Sequence, residues 1–343
     1  MSRLFKLLSF SLVFLLLIPI ASARIINDDD LPFQVRGSTV LSNGTIILAR
    51  WNQIAKSVDN GVTWTYVSYL PFGVGKAFYA TSTDNLLSAS GKKSDYGSIW
   101  LSTNLGITWT KAYTLELNET IWNFQEFCGK VYASVYSYES PNLKVHAKLL
   151  VSEDFGLTWN LLTTFEGYRH VHEVFVNAYN GWIYAAVGDG TPALMRSKDN
   201  GTTWVNLHSK MLFASINAKG STVYLGEDVY ILDEKDSTRI WRFNDTGNGY
   251  ATLEKVFDFG SRFAGNVFWM KELNGKLVFG TVPAVKGWMA LIGVSNDDWT
   301  AFSIVRQETV SIEWTGFQNP TDSYWPLPLI LAKGLTYGMT SKL

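Results

Sequence analysis

The sequence predicts an all-β fold, a seven-bladed β-propeller with six blades as the alternative, on three observations. An octapeptide pattern, Ser-x-Asp-x-Gly-x-Thr-Trp, recurs within "KSVDNGVTWT" (56–65), "LSTNLGITWT" (101–110), "VSEDFGLTWN" (151–160) and "RSKDNGTTWV" (196–205). Its tryptophans, Trp64, Trp109, Trp159 and Trp204, recur at about 45 to 50 residues, the length of one four-stranded blade. Within each period lie four short runs rich in β-branched and aromatic residues, such as "IWNFQEF", "KVYASVY", "AKLLVSED" and "TWNLLTTF", and no long helix has a place among them.

The chain begins with a basic hexapeptide, "MSRLFK", an apolar run, "LLSFSLVFLLLIPI", and the small residues Ala21, Ser22 and Ala23. This succession predicts a signal peptide over 1–23 and a secreted mature chain starting at Arg24. The apolar run is too short and too interrupted by Ser and Pro to favour a membrane-spanning helix. No linker rich in Pro, Gly or Ser divides residues 24–343, which therefore read as one repeat domain.

In order along the chain, the four near-complete copies are followed by two worn ones, "FNDTGNGYAT" around Asp245 and "VSNDDWTAF" around Asp297 and Trp299. Each copy falls where the third strand of a blade turns into the fourth. There Asp59, Asn104, Asp154 and Asp199 accept hydrogen bonds from turn amides, the glycine supplies a positive φ, and the tryptophan packs under the sheet. After Trp299 three further runs remain, and the early run "LPFQVRG" (31–37) is spare. Pairing it beside 335–340 would complete a seventh blade and leave no open edge.

Composition excludes some partners. A net charge of -1 and a pI near 6.4 leave no basic footprint for nucleic acid, and no Lys/Arg cluster suits an anionic membrane. The 14 tryptophans suit either a large β core or stacking on sugars. The single cysteine, Cys128, has no partner for an intramolecular disulfide. Sequons stand at Asn43, Asn118, Asn200 and Asn244.

Antiparallel order puts the 1–2 turns on the same face as the repeated motif. The opposite face collects inner-strand starts, second-strand ends and the 2–3 loops, which include Asp228. Substrate-binding candidates there are Lys76, Trp122, Asn123, Arg262, Asn266, Glu313 and Trp314. The catalytic candidates come from "RHVHEVFVNAYNGWIYAAVGDG": Arg169, His170, His172 and Asp189. The histidines, two apart on an inner strand, should point the same way, and Asp189 ends the neighbouring strand. A carboxylate beside imidazoles can orient one as a general base; a third metal ligand is not visible, and neither metal nor cofactor is expected.

The repeated motif resembles the Asp-box, or BNR, repeats of sialidases and many other secreted propellers. Copy two departs from it with Asn104 where the family has Asp. The resemblance implies a structural turn remote from any active site. Sialidases carry an arginine in a Phe/Tyr-Arg-Ile-Pro motif, which this chain lacks, so it does not imply sialidase activity. Similar propellers include xyloglucanase-type glycoside hydrolases, polysaccharide lyases, sorting receptors and photosystem assembly factors. The expectation is therefore a propeller that binds or cleaves a carbohydrate or glycoconjugate on the face opposite the boxes, or a noncatalytic glycan- or protein-binding module.

Overall fold

The structure, a computed structural model, describes residues 24–26, 37–50, 52–73, 77–91, 96–138, 146–189, 191–228, 237–260, 265–273, 275–283, 289–309, 329–332 and 335–337. Among these, six four-stranded antiparallel sheets follow one another in sequence order: blade one over 37–69, two over 78–117, three over 119–165, four over 171–208, five over 213–258 and six over 265–309. Each is a simple meander, the first strand nearest the ring axis and the fourth outermost.

Among the described residues the blade count is six, the alternative, and not the seven expected first. A further sheet has only three strands, in the order Arg24–Ile26, Leu329–Ala332, Leu335–Tyr337. The partner of the chain's end is Arg24–Ile26, registered through Ile25↔Ile330, and it pairs with Leu329–Ala332. Of residues 31–37, expected to lie beside 335–340, residues 31–36 are outside the described residues, and Gly37 opens the first strand of blade one, paired with Ala49. Leu335–Tyr337 lies against both Gly37–Val40 of blade one and Gly265–Leu273 of blade six, so the two ends of the chain meet where the ring begins and finishes.

The core is a series of apolar layers between blades. Ile54 and Leu86 meet between blades one and two, Leu87, Ile121 and Phe124 between two and three, and Tyr132, Val174 and Ile183 between three and four. The repeated turn joins these layers. Four of the motif tryptophans enter the layer shared with the preceding blade: Trp109, Trp159, Trp204 and, in the worn sixth copy, Trp299. The box glycine is needed for the same approach. A Cβ on Gly156, whose φ is 92°, would stand 2.5 Å from Leu87 Cδ2 of blade two.

The box aspartates act as the sequence predicts. Asp154 accepts from Ser152 Oγ (2.7 Å), Thr158 N (2.8 Å) and Thr158 Oγ1 (2.6 Å). Asn104 keeps the turn by accepting from Thr108 N at 2.9 Å and donating Nδ2–H to Thr108 Oγ1 at 2.8 Å. In blade five the motif is worn and brings no motif tryptophan inward. In its place Asp245 reaches back to blade four, accepting from Tyr184 Oη (2.8 Å) and pairing with Arg196, both ions being buried. The sequon residue Asn118 is also buried, at 4% exposure, which leaves no room for a glycan in the folded chain.

Candidate functional site

Inner strands of propellers are expected to alternate strictly, but here they do not. The pairing of first and second strands slips by one residue between Ile121/Asn123 in blade three, Val171/Glu173 in four, Phe213/Ser215 in five and Val267/Trp269 in six. The residues so bulged are Trp122, His172, Ala214 and Phe268. A bulge re-aims its side chain, and these four occupy equivalent positions around the axis. Trp122 consequently contacts both His172, with ring centroids 6.0 Å apart, and Phe268 of blade six, three blades away, at 5.5 Å.

Around His172 the structure assembles Arg169, His170, Asp189 and Asp228. His170 lies just before the first strand of blade four. Gly188, with a φ of 86°, donates its amide to the His170 carbonyl at 2.9 Å, and this turn brings Asp189 over the imidazoles. His170 Nε2 is 2.7 Å from His172 Nε2. Asp189 Oδ2 is 3.3 Å from His170 Nε2, and Oδ1 is 3.0 Å from His172 Nε2. Arg169 pairs with Asp189 Oδ2. On their far sides, His170 Nδ1 meets the Ser137 carbonyl at 3.1 Å and His172 Nδ1 meets Asp228 Oδ2 at 3.1 Å. Tyr136 stacks on His170 at 3.9 Å and on Trp122 at 4.3 Å, so an aromatic column backs the imidazoles.

The electrostatics divide the two histidines. Burial, reinforced by the neighbouring His172 and Arg169 charges, pushes His170 down to about 4 against the pull of Asp189. Burial also opposes the charge on His172, but hydrogen bonds to Asp189 and Asp228 outweigh it and hold that imidazole protonated near neutral pH. Asp189, which burial alone would raise, is held well below the usual carboxylate range by both imidazoles. Burial pushes the Tyr136 phenol up, and Tyr138 up to about 12, so neither is a ready phenolate.

Of the sequence candidates, Arg169, His170, His172 and Asp189 thus converge, with Trp122 beside them. The two histidines face each other because His172 is bulged, not because alternation aligns them. Asn123 is buried and its amide joins blades three and four: Oδ1 accepts from Val174 N at 3.2 Å and Nδ2 donates to Val174 O at 3.1 Å. Asn266 is half-buried on the inner strand of blade six. Lys76, Arg262, Glu313 and Trp314 lie outside the described residues. Asp228 was one loop residue among many in the sequence; its position at the end of a second strand, as for Asp189, was the available signal. Tyr136 ends the second strand of blade three in the same way, and Phe268 had no signal short of the bulge.

No known family model and no curated protein matches this sequence. Among solved structures, the chain is similar to the GH74 xyloglucanase from Xanthomonas campestris, with 13% identity and a TM-score of 0.55 over 78% of this chain and 46% of that one. It is also similar to a chain of the nidogen/laminin complex, with 11% identity and a TM-score of 0.50 over 78% of this chain and 94% of that one. The chain therefore spans less than half of the xyloglucanase. At these identities the likeness is one of fold: a β-propeller of four-stranded antiparallel blades.

Proposed function

We propose that this chain is a secreted Asp-box propeller that binds or cleaves a glycan at the blade ends opposite the boxes. The observation that carries the reading is the convergence of Arg169, His170, His172, Asp189 and Asp228 beside the Trp122–Tyr136 pair. All stand at inner-strand starts or second-strand ends, away from the 3–4 turns. In the catalytic form, of hydrolase or lyase type, one imidazole moves a proton while Asp189 and Asp228 hold its orientation. A xyloglucan-acting neighbour is compatible with a carbohydrate ligand.

A noncatalytic glycan- or protein-binding propeller is the second reading, and burial favours it. His170 is 0% and His172 5% exposed, and both imidazoles have partners within the cluster, as a structural network requires. Secretion rests on the N-terminal signal pattern, and Arg24, where cleavage would leave the new terminus, opens the first described strand.

One experiment addresses these points together. The chain is purified from the medium, its N-terminus is sequenced and expected to begin near Arg24, and it is screened on polysaccharides for reducing ends and for unsaturated uronate. If the enzyme reading holds, His170→Ala and His172→Ala each lower turnover by roughly 10²-fold or more while glycan binding survives. Wild type that binds glycans but yields no product from any of them selects the binding module. Turnover unchanged in the double alanine variant removes the site.

A further inference from the structure

The two imidazoles confront each other in an unusual way. Each has its outer nitrogen against an acceptor, His170 Nδ1 against the Ser137 carbonyl and His172 Nδ1 against the Asp228 carboxylate, at 3.1 Å in both cases. Were each imidazole to spend a single ring proton there, each Nε2 would carry a lone pair, and the two stand 2.7 Å apart. In that state the two lone pairs repel at this distance, and either a proton or a metal cation between them relieves it. Asp189 faces the same point, Oδ1 toward His172 Nε2 and Oδ2, which also pairs with Arg169, toward His170 Nε2.

We propose that His170 Nε2, His172 Nε2 and Asp189 form a binding site for one divalent transition-metal ion of the zinc type. Outer nitrogens donating to a carbonyl and a carboxylate are the partners that metal-bound histidines regularly have, fixing tautomer and ring orientation. Donor spacing is close to what an ion needs. Tetrahedral ligands about 2.0 to 2.1 Å from an ion are separated by about 3.3 Å; here the two Nε2 atoms are 2.7 Å apart, His172 Nε2 is 3.0 Å from Asp189 Oδ1, and His170 Nε2 is 3.3 Å from the other carboxylate oxygen, Oδ2. All the donor atoms lie within 4.8 Å of one another, so small side-chain shifts suffice. Two imidazoles and one carboxylate suit zinc and its first-row neighbours better than calcium or magnesium, which take oxygen ligands. The ring of Tyr136 covers His170 and limits water around the ion.

The competing occupant is a proton. Arg169 Nε also lies 3.1 Å from His170 Nδ1, and that contact asks for a bare Nδ1 and a proton on Nε2. Metal binding requires the opposite tautomer, so Arg169 would relinquish this contact and retain Asp189. The proposal is independent of any glycan, and its test uses none.

The test uses the tag-free chain, stripped with a chelator and titrated calorimetrically with Zn2+, with metal content measured after dialysis. One ion per chain is expected, and His170→Ala and His172→Ala should each weaken binding by at least 100-fold. Asp228→Asn, which touches only the far nitrogen of His172, should weaken it about 10- to 100-fold. Should the alanine variants fail to fold, Asp228→Asn and Co2+ substitution decide. Bound Co2+ should give d–d absorption without a thiolate charge-transfer band, because Cys128 sits in the turn at the opposite end of blade three. Wild type that binds no ion stoichiometrically, or an affinity unmoved by all three substitutions, overturns the site and returns the position to a proton.

Discussion

Asp154 shows what the repeated motif does at the level of one side chain. Its carboxylate ties the backbone and the hydroxyl of Thr158 and the hydroxyl of Ser152 into a single turn, and the neighbouring Phe155 and Gly156 take φ values of 56° and 92°. Removing the acceptor leaves that left-handed pair without its tether. Asp154→Ala should therefore cost about 1 to 2 kcal/mol, comparable with the loss of a helix cap. Asn104 demonstrates that an amide can hold the same turn with one bond reversed. Asp154→Asn should accordingly cost less than half as much. Urea unfolding of the two variants checks this, and equal losses would show that charge, not acceptor geometry, maintains the turn.

Between elements, the contrast lies in how successive blades are joined. Blades two, three, four and six insert a tryptophan into the layer before them, whereas blade five uses the buried Arg196–Asp245 pair. Arg196 also donates to the Asn248 carbonyl at 2.8 Å and lies over the Trp182 ring at 5.0 Å. A buried ion left without its partner is costly because water cannot replace the lost charge. Arg196→Ala and Asp245→Ala should each destabilise the protein by about 3 to 5 kcal/mol. The double variant Arg196→Met with Asp245→Leu should lose no more than either single one. Thermal unfolding distinguishes this from simple additivity, under which the double variant would melt far below both.

For the whole molecule, closure depends on both chain ends meeting in one three-stranded sheet between the first and last blades. A ring also encloses carboxyl groups that water would otherwise solvate. Burial pushes Glu227, at the end of a second strand in blade five, up to about 7, with Arg239 too distant at 3.5 Å to offset it fully. Its folded-state value lies above the unfolded one, so between pH 4.5 and 7 the folded chain retains a proton that the unfolded chain releases. Stability from this group is present at low pH and is lost as pH rises through that window. Glu227→Gln should match wild type near pH 4 and exceed it by about 1 to 3 kcal/mol at pH 8. Denaturant unfolding at the two pH values checks the sign; an advantage confined to low pH would contradict it.

Legible in the sequence were the propeller class, the blade period, the turns and the neighbourhood of Arg169, His170, His172 and Asp189 at an inner-strand start and a second-strand end. All of these are local, since a turn motif and four short strands repeat within about 50 residues and need no distant partner to be legible. Asp245 was legible as a worn copy of the motif, but its role as the acidic half of an ion pair between blades was not, because Arg196 belongs to the preceding unit. Only tertiary structure decided the rest. That Arg24–Ile26 meets Leu329–Ala332 is a pairing across some 300 residues that no local pattern encodes. The site turned on one-residue bulges at Trp122, His172 and Phe268, which break the period of two on which any reading of strand faces depends. Asp228 reaches His172 from the next blade, a contact between units that no pattern within one unit encodes.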